Sequence, residues 1–190
     1  MSRIVCQFSC GAASAVATKL ALAQYGDRCV IVNAYIEEEH PDNRRFGEDC
    51  ERWFGQSIVN LRDTKYDASA IKVFETVGYI KGPHGASCTS RIKRGLLRTF
   101  EQPDDVLVLG YTAEEQGRDD DWLTDWPDRK IIAPLIERGL TKEDCKALVE
   151  RAGIKLPAMY LPGYDNANCI GCVKGGHGYF RAVREDFPDQ

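Results

Sequence analysis

The strongest constraint on the fold of this chain is a regular alternation of short apolar runs with helical patterns. Five runs have the length and composition of buried strands. They are residues 3–9, 29–36, 57–61, 106–110 and 130–136. Helical patterns are predicted at residues 14–25, 44–54, 68–77, 89–100 and 141–152. Because strands that alternate with helices form parallel sheets, the sequence predicts an α/β fold with a doubly wound, mostly parallel five-stranded sheet.

Composition supports a folded domain of ordinary type. The 190 residues are 43% apolar and 28% charged, which excludes a disordered chain or a coiled coil. We expect one domain over residues 1–190, with a nucleotide-binding core at 1–155 and a loop-rich, cysteine-bearing segment at 156–190. No apolar run reaches 18 residues and no export signal precedes the first strand, so no membrane span and a cytoplasmic location are expected.

The eight cysteines are expected to be reduced thiols, as cytoplasmic cysteines usually are. Cys6 and Cys29 lie in apolar strand runs and are predicted to be small core residues. Cys50 and Cys145 lie on predicted helices, where packing is the usual role. Cys169 and Cys172 form a Cys-x-x-Cys pair among asparagines and glycines, a spacing with which two thiolates can reach one metal.

The loop after the first strand (residues 9–14, called the first loop below) is the main candidate for ligand binding. Ligands of open α/β sheets bind at the carboxyl ends of the strands, and a helix N-terminus there attracts phosphate. Gly11 permits close backbone approach, while hydroxyls of Ser9 and Ser14 can donate to phosphate oxygens. The alternative is a plain strand-to-helix turn with Ser14 as the N-cap. The loop fits neither the P-loop nor the Gly-x-Gly-x-x-Gly pattern.

Further segments follow the first loop in a specific order along nearly the whole chain. They are Glu39-His40-Pro41-Asp42, Cys88-Thr89-x-x-x-Lys93, Gly110-Tyr111-Thr112-Ala113-Glu114-Glu115 with Arg118, Pro134-Leu135-Ile136, and residues 160–172. Together with residues 8–14, they resemble the phosphoadenosine phosphosulfate (PAPS) reductase-like family of the PP-loop, or adenine nucleotide alpha-hydrolase, superfamily. The chain is similar to the short members common in phages and prophages.

This resemblance implies an enzyme that binds ATP or PAPS, with magnesium as a further candidate cofactor. The residues it assigns to nucleotide binding are Ser9, Cys10, Gly11, Ala12, Ala13, Ser14, Gly110, Glu115 and Arg118. Arg118 would clamp a phosphate or sulfate. Lys93 is predicted to bind phosphate and to act in catalysis with Cys169 and Cys172.

Two departures from the family pattern affect the expected chemistry. Ala13 stands where the family often has an acid, and Cys10 replaces a glycine. Sulfonucleotide reductases also carry a catalytic cysteine in a C-terminal Glu-Cys-Gly-x-His segment, whereas no cysteine follows Cys172 here. We therefore expect sulfur transfer rather than classical reduction of a sulfonucleotide.

Cys88 is the best third ligand beside Cys169 and Cys172, since it matches a cysteine region of iron–sulfur members of the family. Three cysteines would leave one iron of a [4Fe–4S] cluster open. Zinc is the rival, with His84 or His177 as a fourth ligand. A redox dithiol without metal is the third interpretation.

Charged residues near these motifs supply the remaining candidates. Glu39 is expected to face the pocket, while Glu37 and Glu38 are expected to be solvated. Lys174 lies in a glycine-rich stretch that reads as an anion site or a flexible turn. The basic helix at 89–100 is the one candidate patch for a nucleic-acid acceptor, although the net charge of −4 gives no support.

Three functions are therefore carried forward. The first is nucleotide-dependent sulfur transfer or adenylation with a cysteine-bound cluster. The second is a PAPS or adenylyl sulfate reductase that releases sulfite. The third is a non-catalytic nucleotide-binding module with structural zinc. A membrane partner is not expected, and a homodimer stays open.

Overall fold

The computed structural model of the chain describes residues 2–83, 85–117, 128–160 and 164–189. The strands are β1 (Ile4–Gln7), β2 (Cys29–Ala34), β3 (Ile58–Leu61), β4 (Lys81–Gly82), β5 (Gly85–Ala86), β6 (Val106–Val108) and β7 (Lys130–Ile132). The helices are α1 (Ala12–Tyr25), α2 (Asp42–Phe54), α3 (Ala70–Val77), α4 (Gly95–Phe100), α5 (Pro134–Glu137), α6 (Lys142–Arg151) and α7 (His177–Asp186).

Five of the strands form one parallel sheet in the order β3-β2-β1-β6-β7, which confirms the predicted fold class. Ile4 lies opposite Cys29 of β2 on one side and Val106 of β6 on the other. The strand order reverses between β1 and β6, because the chain first builds outward to β3 and then crosses to β6. Such a reversal opens a crevice at the carboxyl ends of the two strands, where ligands of this fold class bind.

The chain divides into two compact units. Unit 1 holds residues 1–33, 44–59 and 101–156, and unit 2 holds residues 34–43, 60–100 and 157–190. The prediction of one domain over 1–190 stays a prediction. The cysteine-bearing C-terminal segment groups with two earlier stretches of the chain.

Unit 1 carries the body of the sheet. Val5, Cys6 and Leu107 have no exposed surface, as expected for parallel strands covered on both faces. At the start of β6, the Asp105 carboxylate accepts hydrogen bonds from Arg3 Nε at 3.0 Å and Nη2 at 2.7 Å. This bidentate ion pair links the residues that come just before β1 and β6.

Unit 2 has two apolar clusters among its described residues. One is formed by Ile36, Tyr66, Ala70, Val73 and Ile92. The other is formed by Met159, Tyr164 and Val183, the last of which belongs to α7. The β4–β5 hairpin pairs Lys81 with Ala86, and a π-helical turn, Thr89–Arg94, then leads into α4.

The predicted elements are confirmed with shifted ends, and two interpretations were wrong. The fifth strand stops at Ile132, because Pro134 begins α5 instead of continuing the run. Ser14 is not the N-cap of α1, which begins two residues earlier with Gly11 as its cap. The sequence also gave no indication of α7 in the C-terminal segment.

Helix ends follow the predicted signals. Gly26 caps α1 with φ +55°. Thr141 and Asp144 form the expected reciprocal cap of α6, with the Thr141 amide donating to the Asp144 carboxylate at 2.9 Å. Among the described residues, no helix is both long and apolar enough to cross a bilayer.

Candidate functional site

The first loop in unit 1 connects β1 to α1 through a left-handed residue. Cys10 has φ +55°, a conformation that glycine adopts without strain and other residues rarely do. The Cys10 side chain is buried at 5% exposure, whereas Ser9 is exposed.

Ser14 cross-links the first loop instead of facing outward. Its hydroxyl oxygen lies 3.1 Å from the donating amide of Ser9 and 3.2 Å from the Ser9 hydroxyl, and its own proton is donated to the Gly11 carbonyl at 2.9 Å. Ser14 is only 6% exposed. The sequence suggested that the Ser14 hydroxyl donates to a phosphate, but its proton is donated to the Gly11 carbonyl within the loop. Of the two serines, Ser9 is the exposed one.

Gly110 packs directly on the first turn of α1. A Cβ atom at this position would lie 2.8 Å from the Ser14 Cα and 2.9 Å from the Ser14 nitrogen. No side chain fits this space without moving backbone. The segment after β6 is thereby brought against the first loop at the point where the strand order reverses.

Glu115 and Arg118 are the remaining candidates for nucleotide binding. The Glu115 carboxylate accepts from the Thr112 amide at 3.4 Å and from its hydroxyl at 3.3 Å, in a capping box around a short 3₁₀ turn. This carboxylate therefore stabilises its own turn. Arg118 lies outside the described residues.

In unit 2, the Cys-x-x-Cys segment forms a tight turn. The Cys172 amide donates to the Cys169 carbonyl at 3.1 Å, and Gly171 takes φ +71°. The Tyr179 hydroxyl of α7 donates to the same Cys169 carbonyl at 2.5 Å and accepts from the Cys172 amide at 3.1 Å. One hydroxyl thus bridges the two ends of the turn.

The turn is also attached to the segment after β2. Cys169 pairs with Glu39 in an antiparallel bridge. The amide of Ile170 donates to the Glu38 carbonyl at 3.0 Å. The Glu38 carboxylate accepts from the first amides of α3, Ala70 at 2.9 Å among them, and therefore caps that helix. It is not the solvated residue that the sequence suggested.

Cys88 lies beside Cys169. Both half-buried side chains pack against the same apolar cluster, which includes Val73 and Ile92. Cys172 is close enough to act electrostatically on both Cys88 and Cys169, and Cys88 acts on Cys169 in the same way. We call these three residues the thiol cluster.

A buried ion pair flanks the thiol cluster. Lys93 Nζ donates to Glu39 Oε1 at 2.9 Å, with the Glu39 side chain 9% exposed and the Lys93 side chain 36% exposed. Asn43 donates to the other oxygen of Glu39 at 3.2 Å. The Glu39 side chain is therefore buried by these partners, and the prediction that it faces a ligand pocket stays a prediction.

These surroundings set the protonation of the thiol cluster. Burial raises the pKa of Cys169 to about 12, although the nearby Lys93 ammonium acts to lower it. Burial also raises the pKa of Cys88. Burial alone would lower the pKa of Lys93, but Glu39 and Cys169 outweigh it and raise that pKa. At neutral pH, the Cys88 and Cys169 thiols are therefore protonated and Lys93 is charged.

The donor chemistry of the thiol cluster suits iron or zinc, but the arrangement of its side chains does not. Within the described ranges, no three histidine, cysteine or acidic side chains stand where they could hold a metal ion. His177 is exposed at the start of α7, and His84 lies outside those ranges. No step of the proposed reaction is therefore routed through a metal.

The other five cysteines are buried. Four of them are at most 1% exposed, as expected for the packing roles that the sequence predicted: Cys6, Cys29, Cys50 and Cys145. The fifth, Cys10, is 5% exposed, and its assignment to nucleotide binding stays a prediction.

Comparison with known proteins adds no assignment. No protein-family model matches the chain, and no curated protein matches it. The function is therefore inferred from the geometry of the first loop and of the thiol cluster.

The sequence did not identify Tyr179 as part of the cysteine site. Its only signal was an aromatic residue seven positions after Cys172, which has no meaning until α7 brings the hydroxyl back to the turn. The capping role of Glu38 was hidden in the same way, since α3 begins more than 30 residues later.

Proposed function

We propose that the chain is a PAPS reductase-like enzyme that uses an adenine nucleotide to activate an acceptor for sulfur transfer. The first loop would bind the nucleotide phosphates, and the thiol cluster would handle the sulfur. The observation that carries this proposal is the contact of Gly110 with the first turn of α1. It brings the segment after β6 against the first loop, at the point where parallel sheets of this type bind nucleotides.

The first loop supplies electrostatic stabilisation for phosphate. The N-terminal end of the 14-residue helix α1 carries a partial positive charge, and its first turn contains no acidic side chain. Ser14 holds the loop in shape, so its donors need no reorganisation when charge develops. An acceptor oxygen would attack the α-phosphorus of ATP, forming a bond to AMP while pyrophosphate leaves with the electron pair.

The second half of the reaction would replace oxygen by sulfur. Hydrosulfide from an external donor would attack the activated carbon of the acceptor, form a carbon–sulfur bond and displace AMP. Lys93, held by Glu39 beside the thiol cluster, would balance the negative charge of the arriving sulfur. Because Cys169 is protonated at neutral pH, its own sulfur does not compete with hydrosulfide as an anion.

A sulfonucleotide reductase is the second candidate, favoured by the cations Lys93 and Lys174 near three thiols. It requires a thiolate that attacks the sulfonate sulfur, and the raised pKa of Cys169 opposes this role. A nucleotide-binding module with zinc is the third. A cytoplasmic location, where thiols stay reduced, belongs to all three proposals.

The test combines turnover with metal content in one anaerobic preparation. The protein is incubated with ATP, inorganic sulfide and a protein-free cell extract as the acceptor source, and separately with PAPS and a thiol reductant. Release of AMP and pyrophosphate together supports sulfur transfer, whereas sulfite release from PAPS supports the reductase. ATP binding without turnover supports the module and refutes the enzyme.

Metal content is a separate test of whether the thiol cluster binds a metal. About four irons and four sulfides per chain would support a [4Fe–4S] cluster on Cys88, Cys169 and Cys172. Zinc alone would favour a structural role for the C-terminal segment. Neither metal, in a folded sample that turns over, would leave the thiols as the only sulfur-handling groups.

A further inference from the structure

The thiol cluster lies in two stretches of unit 2 that contain no acidic residue. Residues 76–100 include Cys88 and five cations, and residues 166–184 include Cys169, Cys172 and three cations. The whole chain, by contrast, has a net charge of −4. Positive charge is therefore concentrated around the three cysteines.

Several of these eight cations are exposed and have no ion-pair partner among the described residues. Lys93 is paired with Glu39, and Arg181 is paired with Glu185. Arg91, Arg94 and Lys174 are exposed, and within the described part of the chain no acidic side chain pairs with them. An unpaired exposed cation is available to an external anion.

Lys174 connects this charge to the thiol cluster. Lys174 follows Cys172 by two residues, and its amine interacts electrostatically with Cys172, Arg94 and Cys88. Lys174 and Arg94 are therefore close to each other and to the thiols.

Two exposed aromatic rings belong to the same cysteine segments. Tyr79 is 48% exposed, and its carbonyl accepts from the hydroxyl of Ser87, the residue before Cys88. Phe180 is 38% exposed and follows Tyr179, which bridges the Cys-x-x-Cys turn. The segments that carry the thiol cluster and these cations therefore also expose two large aromatic rings.

We propose that Arg91, Arg94, Lys174, Tyr79 and Phe180, together called the cationic rim, bind single-stranded nucleic acid. Cations spread along a surface match the repeated charges of a phosphodiester chain better than one small anion, which needs convergent donors. Exposed rings provide stacking platforms for unpaired bases, which neither a duplex nor an acidic peptide offers. The strand would bring bases next to the thiol cluster, and their role as sulfur acceptor rests on the proposed function.

The test is the affinity of the purified full chain for fluorescent 20-nucleotide strands of mixed sequence, measured by anisotropy over a range of salt concentrations. We expect binding of a single strand that weakens with salt. Comparing the RNA and DNA versions of that strand shows which of the two nucleic acids the cationic rim binds more tightly. Arg91→Ala with Arg94→Ala is expected to weaken binding at least tenfold and to reduce the salt slope by about 1.4, which is about 0.7 for each lost phosphate contact.

A matched pair controls for net charge. Arg52→Ala with Arg151→Ala removes two exposed helical arginines of unit 1 and is expected to change affinity less than twofold. Arg91→Lys with Arg94→Lys keeps the charge and is expected to retain most of the binding. Tyr79→Ala is expected to weaken single-strand binding about tenfold through lost stacking.

Several results would overturn the proposal. They are no binding of any strand at 50 mM salt, equal losses in the rim and control pairs, or equal affinity for a duplex or polyglutamate. The assay contains no ATP and no sulfur donor, so it fails or succeeds independently of the proposed reaction. Strand binding without turnover would keep the cationic rim and refute the enzyme.

Discussion

The first loop and the thiol cluster are built in opposite ways. The first loop is one short segment of small residues whose shape is set by backbone, through the left-handed Cys10, the internal bonds of Ser14 and the close contact of Gly110. The thiol cluster collects side chains from two distant segments and is held by one partly buried ion pair and one tyrosine hydroxyl.

This difference separates the kinds of change that each site tolerates. The first loop should not tolerate a larger side chain. The thiol cluster should not tolerate the loss of either member of the Glu39–Lys93 pair beside it. Substitutions in each unit can therefore test whether shape governs one site and charge governs the other.

The largest effect is expected in unit 2 from Glu39→Ala. This change leaves the Lys93 ammonium half-buried without its carboxylate and removes the acceptor of Asn43. Breaking a buried pair costs about 3–5 kcal/mol, and the one-third exposure of Lys93 reduces our expectation to about 2–3 kcal/mol of unfolding free energy. Urea denaturation measures it.

Glu39→Gln is the control for that change, because it keeps the shape and one acceptor oxygen. It should lose less stability than the alanine variant. Equal losses for both would mean that packing and not charge matters at Glu39, which contradicts the comparison.

In unit 1, Gly110→Ala tests the requirement for shape. Its Cβ would overlap the backbone of Ser14, so α1 or the segment after β6 must shift, at a cost of about 1–3 kcal/mol. ATP binding should weaken at least tenfold by titration calorimetry. Gly47→Ala, on α2 with open space around it, should be neutral or stabilising by up to about 1 kcal/mol. Unchanged ATP affinity in the Gly110 variant would remove the first loop from the site.

Charge in unit 1 has a structural role, which acid titration should reveal. Burial acts to raise the pKa of Asp105, but the Arg3 hydrogen bonds and the Gln102 amide outweigh it and lower that pKa. A lowered folded-state pKa gives stability that is present above the unfolded value of about 3.9 and is lost as pH falls through the folded value.

Asp105→Asn should therefore cost about 1.5–2 kcal/mol at pH 7, with the difference from the parent shrinking below about pH 4. Urea midpoints across pH 3–7 measure this, with the exposed neighbour Asp104→Asn as control. A pH-independent difference would show that the pair contributes by packing alone.

The smallest effect is expected from Tyr179→Phe in unit 2. Loss of the hydroxyl leaves the Cys169 carbonyl and the Cys172 amide each with one hydrogen-bond partner fewer. We expect this to lower the free energy of unfolding by about 1 kcal/mol. Alkylation of both cysteines by iodoacetamide should become faster. Tyr164→Phe is the matched change, since the buried Tyr164 hydroxyl makes no hydrogen bond of good geometry among the described residues, with Asp186 as its nearest polar neighbour. Its stability should change by less than about 0.5 kcal/mol. Identical alkylation rates in both variants would refute the bridging role of Tyr179.

The sequence predicted the first loop and the sheet well because both follow from local pattern. Apolar runs of strand length fixed β1, β2 and β6, and Gly26 marked the end of α1. The position of the first loop then followed from general rules for parallel sheets. The end of β7 was missed because Pro134 can limit a strand or begin a helix, and only the structure distinguishes these.

Unit 2 was harder to predict because its contacts join residues far apart in the chain. Glu39 and Lys93 were each singled out, but nothing in their spacing indicated that they form one ion pair. The bond between Tyr179 and the Cys-x-x-Cys turn depends on α7, which lies in a segment of glycines and asparagines that looked irregular. Local signals specify elements, whereas the thiol cluster depends on their packing.

The most direct test of the nucleotide site is amide hydrogen exchange with and without ATP, followed by mass spectrometry. The account predicts slower exchange in peptides that cover the first loop and Gly110 when ATP is present. The same protection should be lost in Gly110→Ala at equal ATP concentration. Protection confined to other segments, or none at millimolar ATP in the folded parent protein, would contradict the assignment of the first loop as the phosphate site.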